Sequence, residues 1–579
     1  MTRDRGRLGV GLLAAVSTFQ PSLMPKHRSD QVLAVTGATL TAAAAAAFGA
    51  RSLRLLPPRL RPGGPFAAVG ALAGAAVLSR LRPPPDPVPL RSVAFRALGW
   101  SLVAGALARA AAPLTASPLR LAASTAGAAG AAVALDRATG AGRGRGAARE
   151  LAAGTALSFA VDLLTETETW TARWMAERSA AAAGGRPSRW LAATGPIAVA
   201  PTVVTIVGAA RRVVEAAEAA EDRVEPGYGE PPTQPTVSGG PGSLVAYDDL
   251  TVEGRRFVSE AAGRQRIAEV TGTAVAEPIR VYVGVGSAPT VGERVELAVD
   301  ELERTGAFTR STIIVASPAG TGYVNPIAVE AAEYLTGGDV ATVAIQYGKR
   351  PSVLSPDRVH VGARQNHALL EAIADRLDGL DSPPRLVVYG ESLGARTGQD
   401  AFDLAEDDAE PARHDRFGIA AALWVGTPYR SRWRYRALAV GPSYALGFTN
   451  GAAIREARRS GRRWCHSFLD HPEDPVTRFD VSLLTHRPSW LDTDGRPASV
   501  PARERWVPAA TFWLTAVDTN NAADVVPGEF RAHGHDYRAD LAAAISGAFD
   551  LPVDDGTLAA IERRLRRSER DRAARISRS

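Results

Sequence analysis

The apolar run Arg385-Leu-Val-Val-Tyr389 stops at Gly390-Glu391-Ser392-Leu393-Gly394, and a helical pattern follows. A serine hydroxyl is a weak nucleophile at neutral pH. It needs a base to take its proton and an acid to orient that base. The spacing G-x-S-x-G is a weak signal alone, but a strand before it and a helix after it are the setting of a nucleophile elbow. The glycines have a physical task in such a turn, since a Cβ on either flank would collide with the neighbouring strand and helix. The helix start behind Ser392 would favour negative charge developing at the site. The plain alternative is a βα turn with an incidental serine.

In that architecture the order along the chain is Ser, then Asp or Glu, then His. The base belongs late, in a loop before a closing helix. His535 in FRAHGHDYRADLAAAISGAF meets this condition, and His533, two residues earlier, is its rival. His486 in THRPSWL lies too near any acid to occupy a separate loop and reads as structural. For the acid, the strand-like RRWCHSFLDH runs into Pro472-Glu473-Asp474-Pro475. An aspartate on a turn at a strand's carboxyl end can reach an imidazole, which favours Asp474; Glu473 and Asp470 are near rivals and Asp518 a third choice. Asp474 lies 82 residues after Ser392 and 61 before His535, leaving room for a cap or lid.

A tetrahedral oxyanion needs backbone N–H donors. One is expected from the residue after the nucleophile, Leu393. The other is expected from the loop two strands earlier, SPAGTGYVNP, through Gly320, Thr321 or Gly322, where glycines let backbone approach a substrate carbonyl. A structural turn is the competing reading of that loop.

The elements that must hold these residues follow from periodicity. Short β-branched runs lie at 278–285, 311–317, 340–347, 385–389 and 418–426, with amphipathic stretches at 293–305, 327–336 and 361–378 between them. That alternation predicts a mostly parallel sheet covered by helices on both faces. The first two hundred residues differ. Runs at 8–25, 31–50, 63–79 and 191–210 carry no charge, and weaker apolar segments lie at 97–119, 121–135 and 151–161. Each of the four runs is about the bilayer core in helical length. We expect a multi-pass helical membrane domain over 1–222, a Pro/Gly-rich linker over 223–246, the sheet domain over 247–552 and a solvated basic tail over 553–579. An alanine-rich soluble bundle is the competing reading of the first part. Arg3, Arg5 and Arg7 suggest a signal-peptide start, but more apolar runs follow and no small-x-small cleavage site is evident. Those arginines favour a cytoplasmic N-terminus in a cell-membrane protein.

Composition narrows the classes further. The net charge of +6 is almost wholly arginine, with Lys26 and Lys349 the only lysines, and it is scattered rather than gathered, which argues against nucleic acid as a partner. Cys465 is the single cysteine, so there is no disulfide framework and no thiolate metal cluster. GVGSAP at 284–289 lacks the third glycine of a dinucleotide loop, and neither a phosphate-binding loop nor an H-E-x-x-H helix occurs. No cofactor and no metal are expected.

With serine, acid and histidine in place, the chain resembles an actinobacterial family of membrane-anchored α/β-hydrolases. The resemblance rests on PSLMP, PIRVYVG, ELERTGAF, GTGYVNP, QYGKRPSVLS, GESLG, LWVGTP, HPEDPV, RPSWL and HGHDY, in that order along the chain. It implies a helical transmembrane domain followed by an α/β-hydrolase domain, a Ser392, Asp474, His535 triad, and lipase- or esterase-like activity on a lipid or acylated small molecule. Family members read GTGW and QYSYLPS where this chain has GTGY and QYGKRPS, so its substrate preference is open to difference. An acyltransferase or peptidase with the same triad, or an inactive hydrolase scaffold, are the alternative classes.

Overall fold

The computed structural model describes residues 6–57, 64–81, 86–144, 146–182, 208, 211–212, 214–352, 355, 357–404, 417–494, 496–522 and 525–577. The chain divides into two compact units, each built from two stretches: Met1–Arg212 with Phe479–Asn521, and Val213–Arg478 with Ala522–Ser579.

The first unit is helical. Its elements are α1 (Gly6–Ser17), α2 (Arg28–Leu53), α3 (Gly64–Arg80), α4 (Leu90–Ala111), α5 (Pro118–Thr139) and α6 (Gly146–Ala182), joined by the distant helix Ala510–Asn521. Small residues let the helices approach. A Cβ added to Gly49 of α2 would lie 1.7 Å from the Ser101 carbonyl oxygen of α4, and one on Gly105 would lie 2.3 Å from the Ala50 nitrogen. Ala15, Ala34, Ala38, Ala46 and Ala71 are fully buried, whereas Phe66, Leu72, Phe95 and Leu119 are more than half exposed. Among the described residues, three helical stretches are long and apolar enough to cross a membrane: Arg28–Leu53, Leu90–Thr115 and Pro118–Thr139. At 1.5 Å per residue they reach roughly 33–39 Å, against about 30 Å of hydrocarbon.

The run 8–25 is not one span. Helix α1 closes at Ser17 with tight turns from the Thr18 and Phe19 amides, because Pro21 and Pro25 supply no N–H and push the residues before them out of helical geometry. The run 191–210 lies, but for Gly208, outside the described residues.

The second unit carries a seven-stranded sheet: β1 (Ile279–Val283), β2 (Thr312–Ser317), β3 (Val340–Ile345), β4 (Arg385–Glu391), β5 (Ile419–Val425), β6 (Ala445–Phe448) and β7 (His466–Leu469). The order is β1-β3-β2-β4-β5-β7-β6, and every pair is parallel. The expected runs became β1 to β5, all residues of β1, β2 and β3 being buried. Strand β6 was not expected; its four residues, with Gly447 among them, carry little β-branched signal.

Three stretches differ from the expected organisation. Residues 479–521, assigned to the sheet domain, cluster with the helical unit. The Pro/Gly-rich 223–246 is packed rather than a free linker: Val237 bridges Arg280 on β1 and Tyr228 is buried, so this stretch covers a sheet edge. The basic end forms the helix Asp555–Ser577, which buries Leu558, Ile561 and Leu565 and pairs Arg572 with Glu330 at 2.5 Å. Its apolar residues recur at helical spacing, so one face packs although most of its side chains are charged.

Candidate active site

Strand β4 lies in the middle of the sheet, between β2 and β5, and its carboxyl end is where open parallel sheets bind ligands. The chain leaves β4 through Ser392 at φ 55°, ψ −125°, and enters the helix Leu393–Asp403 at once. A side-chain-bearing residue at positive φ costs on the order of 1–3 kcal/mol and needs surrounding structure to hold it. Here the Ser392 amide donates to the Val425 carbonyl of β5 at 2.9 Å. The flanking glycines make the turn possible. A Cβ on Gly390 would sit 2.9 Å from the Ala395 Cα, and one on Gly394 would sit 2.3 Å from the Ser317 carbonyl oxygen.

Past β7 the chain turns through Asp470 to Asp474 into a short helix, Pro475–Arg478. Asp474 is fully buried and well supplied with donors. Its Oδ2 accepts from His535 Nδ1 and from the Tyr537 hydroxyl, each at 2.7 Å, and its Oδ1 accepts from the Val476 amide at 2.8 Å. With Nδ1–H engaged, His535 keeps its lone pair on Nε2, the tautomer a general base requires. Burial pushes the His535 imidazolium down, but the Asp474 carboxylate, by charge and hydrogen bond, more than offsets it, so the net shift is upward. Burial and the Asp474 charge hold the Tyr537 phenol far above its ordinary value, so it remains a donor.

The histidine ring lies over Gly426, at φ 57°, where a Cβ would come within 2.5 Å of His535 Cε1. Gly426 directly follows Val425, whose carbonyl holds the Ser392 amide. Ser392 therefore follows β4, and the imidazole lies against the residue that follows the neighbouring strand β5. Gly426 and Tyr537 had no assigned role in the sequence, and their signal was faint: a glycine in LWVGTP and a tyrosine two places past His535. His471 donates from Nδ1 to the Gly534 carbonyl at 2.8 Å, its Nε2 lies 3.1 Å from the Asp540 carboxylate, and its ring stacks on Tyr537 with centroids 4.1 Å apart.

The rivals are engaged elsewhere. His533 is largely exposed and pairs with Glu473 at 3.1 Å. Asp470 binds Arg434 and the Thr427 amide, both at 2.8 Å. Asp518 and His486 belong to the helical unit, Asp518 paired with Lys26 at 2.5 Å and His486 bonded to Ser92 and Thr485. Beside the serine, Glu391 accepts from the Tyr389 hydroxyl at 2.6 Å and Asn325 Nδ2 at 2.9 Å; burial raises its pKa against these donors and the His535 charge.

In the 318–323 loop, the Gly322 amide is spent on the Ala319 carbonyl at 2.9 Å, and Gly320 has only a 3.5 Å contact to Ser352 Oγ. Gly320 also packs against the 350–355 loop, since a Cβ would meet the Arg350 oxygen at 2.5 Å. Among the described residues no group of three or more His, Cys, Asp or Glu is arranged to hold a metal ion.

Two family models match the chain. Residues 279–552 match "Alpha/beta-hydrolase family", and residues 19–261 match "Alpha/beta-hydrolase family N-terminus". No curated protein and no solved structure matches it. The parallel sheet, the strained serine turn at its centre and these two matches in tandem lead to one conclusion: the chain belongs to an α/β-hydrolase family.

Proposed function

We propose that the protein is a membrane-embedded serine hydrolase that cleaves a carboxylic ester of a lipid or other acylated small molecule. The observation that carries the reading is the buried Asp474–His535 hydrogen bond of 2.7 Å at the sheet end that also bears the strained Ser392. Ser392 Oγ attacks the acyl carbonyl carbon while His535 Nε2 takes its proton. Asp474 holds the imidazolium that forms. The oxyanion accepts from the Leu393 amide and from the 320–322 loop, through Gly320 or Thr321, because the Gly322 amide is already used. Collapse breaks the ester C–O bond, and His535 returns the proton to the departing alcohol. Water, deprotonated by the same histidine, then releases the carboxylic acid and free Ser392.

The membrane part of the reading rests on packing in the helical unit. Phe66 at 79%, Leu119 at 81% and Phe95 at 72% exposure face outward from three different helices. Water tolerates single apolar residues at a surface, but outward faces of this kind on several helices suit lipid.

A fluorophosphonate probe tests the chemistry. We expect covalent labelling of the full chain in detergent, abolished by Ser392→Ala, with hydrolysis of long-chain esters lost by on the order of 10⁴-fold or more. Labelling that persists in Ser392→Ala would sink the assignment of the nucleophile. Turnover of peptides or thioesters in preference to esters would move the enzyme to another acyl-transfer class.

A further inference from the structure

A cavity of about 440 Å³ opens within the helical unit, lined by Arg80, Arg96, Arg487, Asp492 and Trp506 beside the side chain of Leu81. Three guanidiniums face one carboxylate there, so the lining carries two formal positive charges in excess. Arg96 is nine-tenths buried and donates to the Leu81 carbonyl at 2.9 Å. Arg487 pairs with Asp492 at 3.2 Å and donates to the Leu491 carbonyl at 2.9 Å. Arg80 and Arg487 are exposed, so their guanidiniums are open to an incoming anion at the mouth of the cavity.

The position of the cavity adds a second constraint. Arg80 is the last residue of α3 and Arg96 lies in the second turn of α4, so the cavity sits where two consecutive apolar helices end and begin. The outward face of α3 leads to it through Leu72 and Val77, both more than 60% exposed. One indole, Trp506, lines it and packs on a second. Trp506 and Trp100 meet edge to face with centroids 5.5 Å apart, and their Nε1–H groups are fixed on the Leu483 and Thr485 carbonyls. Rigid tryptophans beside arginines at the ends of apolar helices suit the depth at which headgroups lie.

We infer that this cavity binds the phosphate headgroup of an anionic phospholipid, with the acyl chains along the α3 face. The inference rests on the membrane reading given above. A tetrahedral oxyanion with several free oxygens can engage more than one guanidinium fork, whereas a single carboxylate is satisfied by one. The site belongs to the helical unit and none of its residues is among those assigned to ester cleavage.

Native mass spectrometry of the full chain in mild detergent tests it, with phosphatidylglycerol, phosphatidylcholine or glycerol phosphate added at equal concentration. We expect phosphatidylglycerol to be retained at least 10-fold more than phosphatidylcholine. Arg80→Gln with Arg487→Gln should bring retention down to the phosphatidylcholine level with an unchanged circular dichroism spectrum; both side chains are exposed enough to be replaced without unfolding. Equal retention of the two lipids, or undiminished phosphatidylglycerol in the double variant, would overturn the inference. Retention of glycerol phosphate without lipid would overturn the lipid assignment. Recovery of the chain from the soluble fraction of a lysate would instead remove the membrane reading. The glycerol phosphate arm would then still interrogate the cavity, and no arginine-dependent binding there would overturn the anion site itself.

Discussion

In the sheet unit the largest side chains lie deepest: Trp424, Trp433, Phe402 and Phe468 are fully buried, the first three in mutual ring contact. In the helical unit many of the fully buried positions are alanine, beside a few large residues such as Phe19, Leu151 and Leu514, while Phe66, Phe95 and Leu119 are more than two-thirds exposed. The difference follows from the solvent each surface meets. Water drives large apolar groups inward at roughly 25 cal/mol per Å²; under the membrane reading proposed above, lipid offers no such drive, and helices there gain most from close backbone approach. The two units thus differ in what they expose: the helical unit leaves large apolar side chains on its outer faces.

Substitutions of opposite kinds should therefore damage the two units. The largest effect belongs to the chemistry of the sheet unit. Asp474→Asn leaves the shape of the site but removes the charge that orients His535, and we expect kcat to fall about 10⁴-fold. In the wild type the raised His535 pKa sets the ascending limb of the kcat/KM profile. Activity should be absent at pH values where the imidazole is protonated and should appear through a midpoint above the ordinary 6.5. An ascending limb at or below 6.5 would contradict the described hydrogen bond.

Next comes Trp424→Ala, a large-to-small change under the helix that follows Ser392. It should cost about 3–5 kcal/mol, seen as lost hydrogen-exchange protection in β4 and β5. The helical unit should fail by the reverse change. Gly105→Val drives a side chain into the backbone of Ala50 and Gly49, and overpacking of this kind costs about 1–3 kcal/mol. Protection should fall in α2 and α4 and stay intact in the sheet; a neutral result would mean that these helices are not packed through their glycines.

The smallest effect concerns Glu504 in the helical unit, whose pKa is pushed up to about 8 by burial and by the Asp518 charge, with Lys26 opposing. Both its oxygens are buried without a hydrogen-bond partner. The folded state therefore binds the proton more tightly than the unfolded one. This contribution is complete below the ordinary 4.5 and declines as pH rises toward about 8, by at most about 1.4 kcal/mol per pH unit. Glu504→Gln should flatten that decline in a thermal-unfolding series from pH 6 to 9. An unchanged slope would show that Glu504 is not the titrating group.

Much of the catalytic unit was legible in the sequence because its signals are local. Five of seven strands announced themselves as short β-branched runs, and the Gly390 and Gly394 positions anticipated collisions that the structure makes explicit. Asp474 and His535 were reached by chain order and turn chemistry, and they do meet at hydrogen-bond distance. What escaped was set by contacts between remote segments. Nothing near Asp518 in the chain reveals that its partner is Lys26, nor that Trp513 fills the space left by Gly37. Residues 479–521 read as an ordinary lid because their apolar residues do not declare which surface they will cover.

That same stretch changes what the chain can be divided into. It leaves the sheet unit just after Asp474, joins the helices, and returns just before His535. A protease cutting near residues 212–222 would not release the sheet unit, because the polypeptide passes back through the helical unit between Asp474 and His535. A fragment starting at the sheet unit would carry residues 479–521 with their apolar faces unmatched, and excising them would require a new loop between Asp474 and His535. No single cut along the chain separates the two units.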